Sequence, residues 1–174
     1  MPNLLESILG AEIVGLSRIL LENAVLGQRF VDQSALVLSL ADGRRFEIIT
    51  GQSETRSFEL SAARPPVLVD LDDPAPVPDP DYHLSLVPLT GERFDRAPPL
   101  PIRVRQVTEV WAGEGDKAFL VAITVQGTSG DRESCLDLCV ETDEVEVMTA
   151  AELSDRLTEI RRGYGAVDYR HYGE

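Results

Sequence analysis

Residues 35–51 read ALVLSLADGRRFEIITG, which is the pattern of a β-hairpin. Leu36, Leu38 and Leu40 alternate with Val37 and Ser39, the two-residue period of a strand. Ala41-Asp42-Gly43-Arg44 follows, with Asp-Gly supplying the positive φ that a tight turn needs. Phe46 and Ile48 then alternate with Arg45, Glu47 and Ile49 on a return strand. A local hairpin makes neighbouring strands antiparallel, so the stretch sets the expected sheet type.

Toward the N-terminus, Asn3 as cap and Glu6 behind it predict a short helix. Leu4, Leu5, Ile8 and Leu9 form its apolar face and Gly10 its stop. A first strand is expected over residues 11–21, through Ile13, Val14, Leu16, Ile19 and Leu20. Residues 23–33 read mostly as loop. Past the hairpin, Phe58 and Leu60 mark a short strand at residues 56–60.

The character then changes. Ten of the eleven prolines lie between Pro65 and Pro101. Val67-Val69-Leu71 and Leu84-Leu86 alternate, but Pro74, Pro76, Pro78 and Pro80 lie between them. Proline cannot donate to a ladder, so edge strands or extended connectors are expected here.

From Ile102 the order of the first half recurs. A strand runs to about Trp111, and Trp111 to Asp116 makes a turn. Residues 118–125, AFLVAITV, form an apolar strand, and Gln126 to Asp131 a second turn. Cys135–Val140 returns, and Glu144–Met148 is a short strand. Thr149-Ala150-Ala151-Glu152 is a capping box. The helix it opens carries Leu153, Leu157 and Ile160 on one face and is expected to stop at Gly163. The tail YGAVDYRHYGE, with three tyrosines, reads as a strap packed on the surface or, alternatively, a partner-binding aromatic tail.

The expected fold is α+β. It is mainly antiparallel β-sheet built from two similar β-units, with a short N-terminal helix and a C-terminal helix packed on the sheet. Residues 1–61 form the first unit, 62–101 a proline-rich acidic connecting segment, and 102–174 the second unit with its helix and tail, within one compact domain or two small halves.

Thirty Asp and Glu against sixteen Lys and Arg leave a net charge of −14. That balance disfavours nucleic acid and anionic membrane surfaces, and it favours a basic protein partner. No apolar run approaches the roughly 18 residues of a transmembrane span. With no signal-like N-terminus, a cytoplasmic, bacterial setting is expected. Cys135 and Cys139 lie about 13 Å apart along one strand, too far to bridge.

Motifs for catalysis are weak. Gly113-x-Gly115-x-x-Ala118 precedes a strand, whereas a dinucleotide loop opens a helix. Gly51-Gln52-Ser53-Glu54-Thr55 lacks the second glycine of a nucleophile elbow. Asp79, Asp81 and His83 share one side of an extended chain, but about 7 Å between ligands is too wide for a metal without a bend. His171 lies in the tail with no nucleophile beside it in sequence. No catalytic residue, metal or cofactor is assigned.

Two acidic groups stand out as partner-binding candidates. Asp70, Asp72, Asp73, Asp79 and Asp81 sit in the proline segment; Asp137, Glu141, Asp143, Glu144 and Glu146 form the second group, with Asp137 facing out if Leu136, Leu138 and Val140 face the core. A few aromatics, Trp111, Tyr82, Tyr164 or Tyr169, are the expected anchors. The function expected from these features is a non-enzymatic protein-binding module. Its most concrete form is an immunity or antitoxin-type protein that occludes the active site of a basic toxin. The alternative is a small-molecule-binding or hydrolase-like protein with a cleft between the halves near His83.

Overall fold

The structure, a computed structural model, describes residues 4–49, 56–59, 67–70, 73–78, 82–89, 98–115, 118–140 and 144–173. A 3-10 turn at Leu4–Ile8, where a short helix was expected, leads into β1 (Glu12–Asn23), β2 (Arg29–Leu40), β3 (Arg45–Ile49) and β4 (Arg56–Glu59). The proline-rich stretch supplies β5 (Val67–Asp70), β6 (Asp73–Pro78) and β7 (Tyr82–Pro88). Then come β8 (Ile102–Ala112), β9 (Phe119–Ser129), β10 (Arg132–Cys139), β11 (Glu146–Met148), helix α1 (Ala150–Tyr164) and β12 (Val167–Gly173). Among the described residues, no helix is long and apolar enough to cross a membrane.

Ten strands form one sheet, along the path β11-β10-β9-β8-β1-β2-β3-β4, and all of its pairings are antiparallel. The opening hairpin forms as its sequence requires. Gly43 sits at φ +87°. The Asp42 carboxylate accepts from the Arg44 N–H at 3.0 Å, closing the turn between β2 and β3.

β1 and β8 meet only briefly, where Glu12 faces Arg103 and Ile13 faces Ile102. Beyond that point the sheet forks. From Ser17 to Asn23, β1 takes β7 as its neighbour; from Gln106 to Ala112, β8 takes β12. The tail is therefore a paired strand rather than a surface strap. It fills the β8 edge that β1 leaves open.

The fork divides the sheet into two wings, β1–β4 with β7 and β8–β11 with β12. The wings share one core. Leu16, Leu36, Leu38, Phe46 and Ile48 of the first wing pack in one cluster with Val107, Ile123, Leu136 and Leu138 of the second. Arg18 ties the wings together. It is buried on β1 and donates from Nη1 to the Ala35 carbonyl at 2.8 Å. Its Nη2 donates to the carbonyl of Val145, just before β11. In a flat sheet β1 and β11 would stand about 19 Å apart, beyond an arginine's reach. The sheet must bend at the fork and close its wings face to face.

Two local features depart from the sequence reading. Residues 23–33 are mostly strand, because a short turn is enough. The Asn23 side chain accepts from the N–H groups of Val25 and Leu26, at 3.0 and 2.8 Å, and β2 resumes at Arg29. Helix α1 runs past Gly163 to Tyr164, because the positive φ that ends it falls at Gly165, at +84°. Its start is as expected: Thr149 accepts from the Glu152 N–H at 3.3 Å, and the Glu152 carboxylate accepts from the Thr149 N–H at 2.9 Å.

Candidate functional site

Strand alternation gives the second wing two faces. One points into the shared core. The other carries Val110 and Ala112 of β8, Ala122 of β9 and Cys139 of β10, all buried under Leu153, Leu157 and Ile160 of α1. α1 covers only part of this outer face. Beside it lies a groove of about 380 Å³, within the range of ligand sites.

The groove floor is laid out by register. His171 faces Thr108, Thr108 faces Thr124, and Thr124 faces Asp137, so these four make one row across four strands. A second row runs Gln106, Gln126 and Cys135. The matching row under α1 is Tyr169, Val110, Ala122 and Cys139. The groove thus begins where the outward positions of these strands change from apolar to polar.

Asp137 is buried at 6% exposure, although it is a carboxylate. Thr124 Oγ1 donates to its Oδ1 at 2.8 Å, and Cys135 Sγ donates to the same atom at 3.3 Å. At the other end of the row, Thr108 Oγ1 and His171 Nδ1 lie 3.0 Å apart. The rings of Tyr169 and His171 stack with planes 8° apart, and Arg161 of α1 donates to the Tyr169 hydroxyl at 2.6 Å. Asp137 and His171 are separated by three strand spacings, about 14 Å, too far to share a proton. Among the described residues, no three His, Cys, Asp or Glu side chains gather as metal ligands would. The floor is a set of fixed hydrogen-bonding groups with one buried negative charge.

Cys135 is not an activated thiol. Burial pushes it up to about 12, and the Asp137 charge and the bond donated to that carboxylate act the same way. Its thiolate fraction at pH 8 is therefore very small. Alkylation by iodoacetamide at pH 8 should run roughly 50-fold slower than for an unperturbed thiol, after allowing for the greater nucleophilicity of a more basic thiolate. Cys139 is fully buried and should not compete. The folded thiol holds its proton above the ordinary value of 9.0, so unfolding releases a proton between pH 9 and about 12. Stability should fall with rising pH in that window, and Cys135→Ser should flatten the fall. A thermal-melt series across that pH range reads both.

Of the described residues favoured from sequence, Asp137 and Tyr169 line the groove, whereas Trp111, Glu144 and Glu146 do not. Trp111 is half-buried against the shared core. Its Nε1 donates to Glu109 at 3.0 Å, and Arg170 lies 4.4 Å from its ring centroid. Glu144 is exposed, and Glu146 lies half-buried on β11 at the sheet edge. Tyr82 and His83 are in β7, opposite Asn23 and Glu22, and Asp73 begins β6; the side chains of these three are outside the described residues. Asp72, Asp79, Asp81, Glu141 and Asp143 also lie outside them. The structure brings Glu144 and Glu146 near one sheet edge and holds Trp111 apart from them, on β8.

Asp137, Tyr169 and His171 stand out in the sequence for other reasons; the groove as a site had one faint signal. Gln106 and Thr108, Thr124 and Gln126, and Cys135 and Asp137 are polar pairs at a spacing of two within largely apolar strands. Val167 to Tyr172 also alternates as a strand would.

The fold and site define a forked antiparallel sheet with a helix-flanked polar groove. No protein-family model, curated protein or solved structure matches the chain.

Proposed function

We propose that the chain is a protein-binding module for a basic partner, of the immunity or antitoxin type, acting by occluding a toxin's active site. The observation that carries this reading is the groove floor. It offers ordered donors and acceptors across four strands, with its acid and its imidazole at opposite ends, an arrangement suited to recognition. The net charge of −14 supports a basic partner, because opposite charge steers encounter. The setting that goes with this reading is cytoplasmic and bacterial.

Affinity capture from lysate of the source organism, at low and moderate salt, tests the reading. The expected result is one stoichiometric basic protein that is lost as salt rises. A partner that is acidic, or held equally at all salt concentrations, would count against it. Combined reversal of Glu141, Asp143, Glu144 and Glu146 to Lys should slow association about tenfold at low salt. The difference should vanish near 0.5 M salt, where the Debye length is only a few ångströms. Stopped-flow or surface-binding kinetics would show it. Equal rates for both proteins at low salt would remove these carboxylates from the steering surface.

A second reading is supported by the groove volume of about 380 Å³, which also suits a small molecule. Its place would be the groove beside His171; the side chain of His83, near which the sequence reading puts a cleft, is outside the described residues.

The two wings are also proposed to be copies of one β-unit. β1–β4 and β8–β11 each run as a meander, and β1 and β8 each gain one further strand where they part. If residues 12–49 and 102–139 fail to superpose in an experimental structure, the duplication is excluded.

A further inference from the structure

We propose that the Asp137 end of the groove receives an arginine side chain of the partner. The proposal rests on the basic-partner reading and assigns it a site.

Asp137 is more than nine-tenths buried, yet it lines an open groove. Both bonds it accepts from described residues end on Oδ1. Oδ2 is not among the buried side-chain atoms that lack a partner, so it is open to the groove, where a ligand's donor can take the place of water. A buried carboxylate with spare acceptor capacity is costly unless a donor or cation reaches it. The surroundings select the kind of cation. Thr124, whose O–H is already directed to Asp137 in a hydrogen bond, has only lone pairs to offer. The side-chain amides of Gln126 and Gln106 stand in the next row. Acceptors spread over three strands suit the five donors of a planar guanidinium better than a compact ammonium. Leu153 and Leu157 of α1 form the groove's apolar side, where an arginine stem can lie. Arg161 stands at the opposite end, held by the Tyr169 hydroxyl, and its charge directs an incoming cation toward Asp137.

The test is an ¹⁵N NMR titration of the full chain with N-acetyl-arginine amide. The matching citrulline and lysine amides serve as comparisons. Saturable shifts are expected at the amides around Thr124, Gln126, Cys135 and Asp137. The neutral citrulline compound should bind at least tenfold more weakly, and the lysine compound more weakly than arginine. Asp137→Asn keeps an oxygen for Thr124 and Cys135 but loses the charge, so it should lose at least tenfold in affinity. Glu133→Gln, which removes an exposed carboxylate beside the groove strands, should bind as wild type. No saturable shift, shifts centred elsewhere, citrulline or lysine binding as well as arginine, or an unaffected Asp137→Asn would each overturn the proposal. If Asp137→Asn fails to fold, the three-compound comparison on wild type decides alone. A captured basic partner whose binding ignores Asp137→Asn would remove this site and leave the basic-partner reading standing. Arginine binding with no basic partner in the capture would do the reverse.

Discussion

Arg18→Met should cost about 3 kcal/mol or more of stability, read as a lower urea midpoint. The side chain is 5% exposed and joins two parts of the chain 127 residues apart in sequence. Methionine fills much of the space but donates nothing. The carbonyls of Ala35 and Val145 would each lose a charge-assisted donor, and a buried carbonyl without a partner costs about 1–3 kcal/mol. For a domain with a total stability of about 5–15 kcal/mol, that is a large fraction. Arg18→Lys should recover only part of the loss, because an ammonium cannot reach both carbonyls with a fork. A loss below about 1 kcal/mol for Arg18→Met would mean that the shared core alone holds the wings together.

Gly127→Ala should be comparably damaging, by about 3 kcal/mol. A Cβ at this position would stand 2.0 Å from the Arg103 carbonyl oxygen and 2.8 Å from its carbon. Backbone cannot swing aside as a side-chain tip can. The close approach arises where β8 is irregular, between Val104 and Gln106, as it crosses β9. The same stretch of β8 forms the pairing with β1, Arg103 to Glu12 and Ile102 to Ile13. Pushing β8 away from Gly127 would therefore strain the junction of the wings. Gly163→Ala is the internal comparison. A Cβ there meets nothing within 4 Å, and the position is helical and exposed, so a gain of about 0.5–1 kcal/mol is expected. Equal midpoints for Gly127→Ala and wild type would show that β8 can yield at no cost.

Much of the fold was legible because its signals are local. Leu36, Leu38 and Leu40, the Asp42-Gly43 turn, and Phe46 with Ile48 specify a hairpin within fifteen residues. Thr149 and Glu152 specify a helix start within one turn. The tail was harder, because Val167–Gly173 becomes a strand only once β1 leaves the β8 edge open. Nothing near residue 170 records that departure. Asn23 shows how one side chain can shorten a turn that composition alone reads as a long loop.

The groove was less legible than the fold. Its floor depends on the register of four strands whose members are up to 65 residues apart, from Gln106 to His171. Asp137 does point away from the shared core, as its alternation with Leu136 and Leu138 implies. It is nevertheless buried, because it stands beside α1 and beneath the bond from Thr124. The sequence groups it with the carboxylates that follow it, Glu141 to Glu146. Only tertiary packing separates it from the exposed Glu144.

The most direct measurement on the proposed binding face is hydrogen–deuterium exchange of the captured complex against the free protein. Exchange is expected to slow along α1, along β12, and around Thr124 and Asp137, while β3 and β4 exchange as before. Slowing confined to the first wing, with α1 and β12 unchanged, would contradict the assignment of the groove as the partner site.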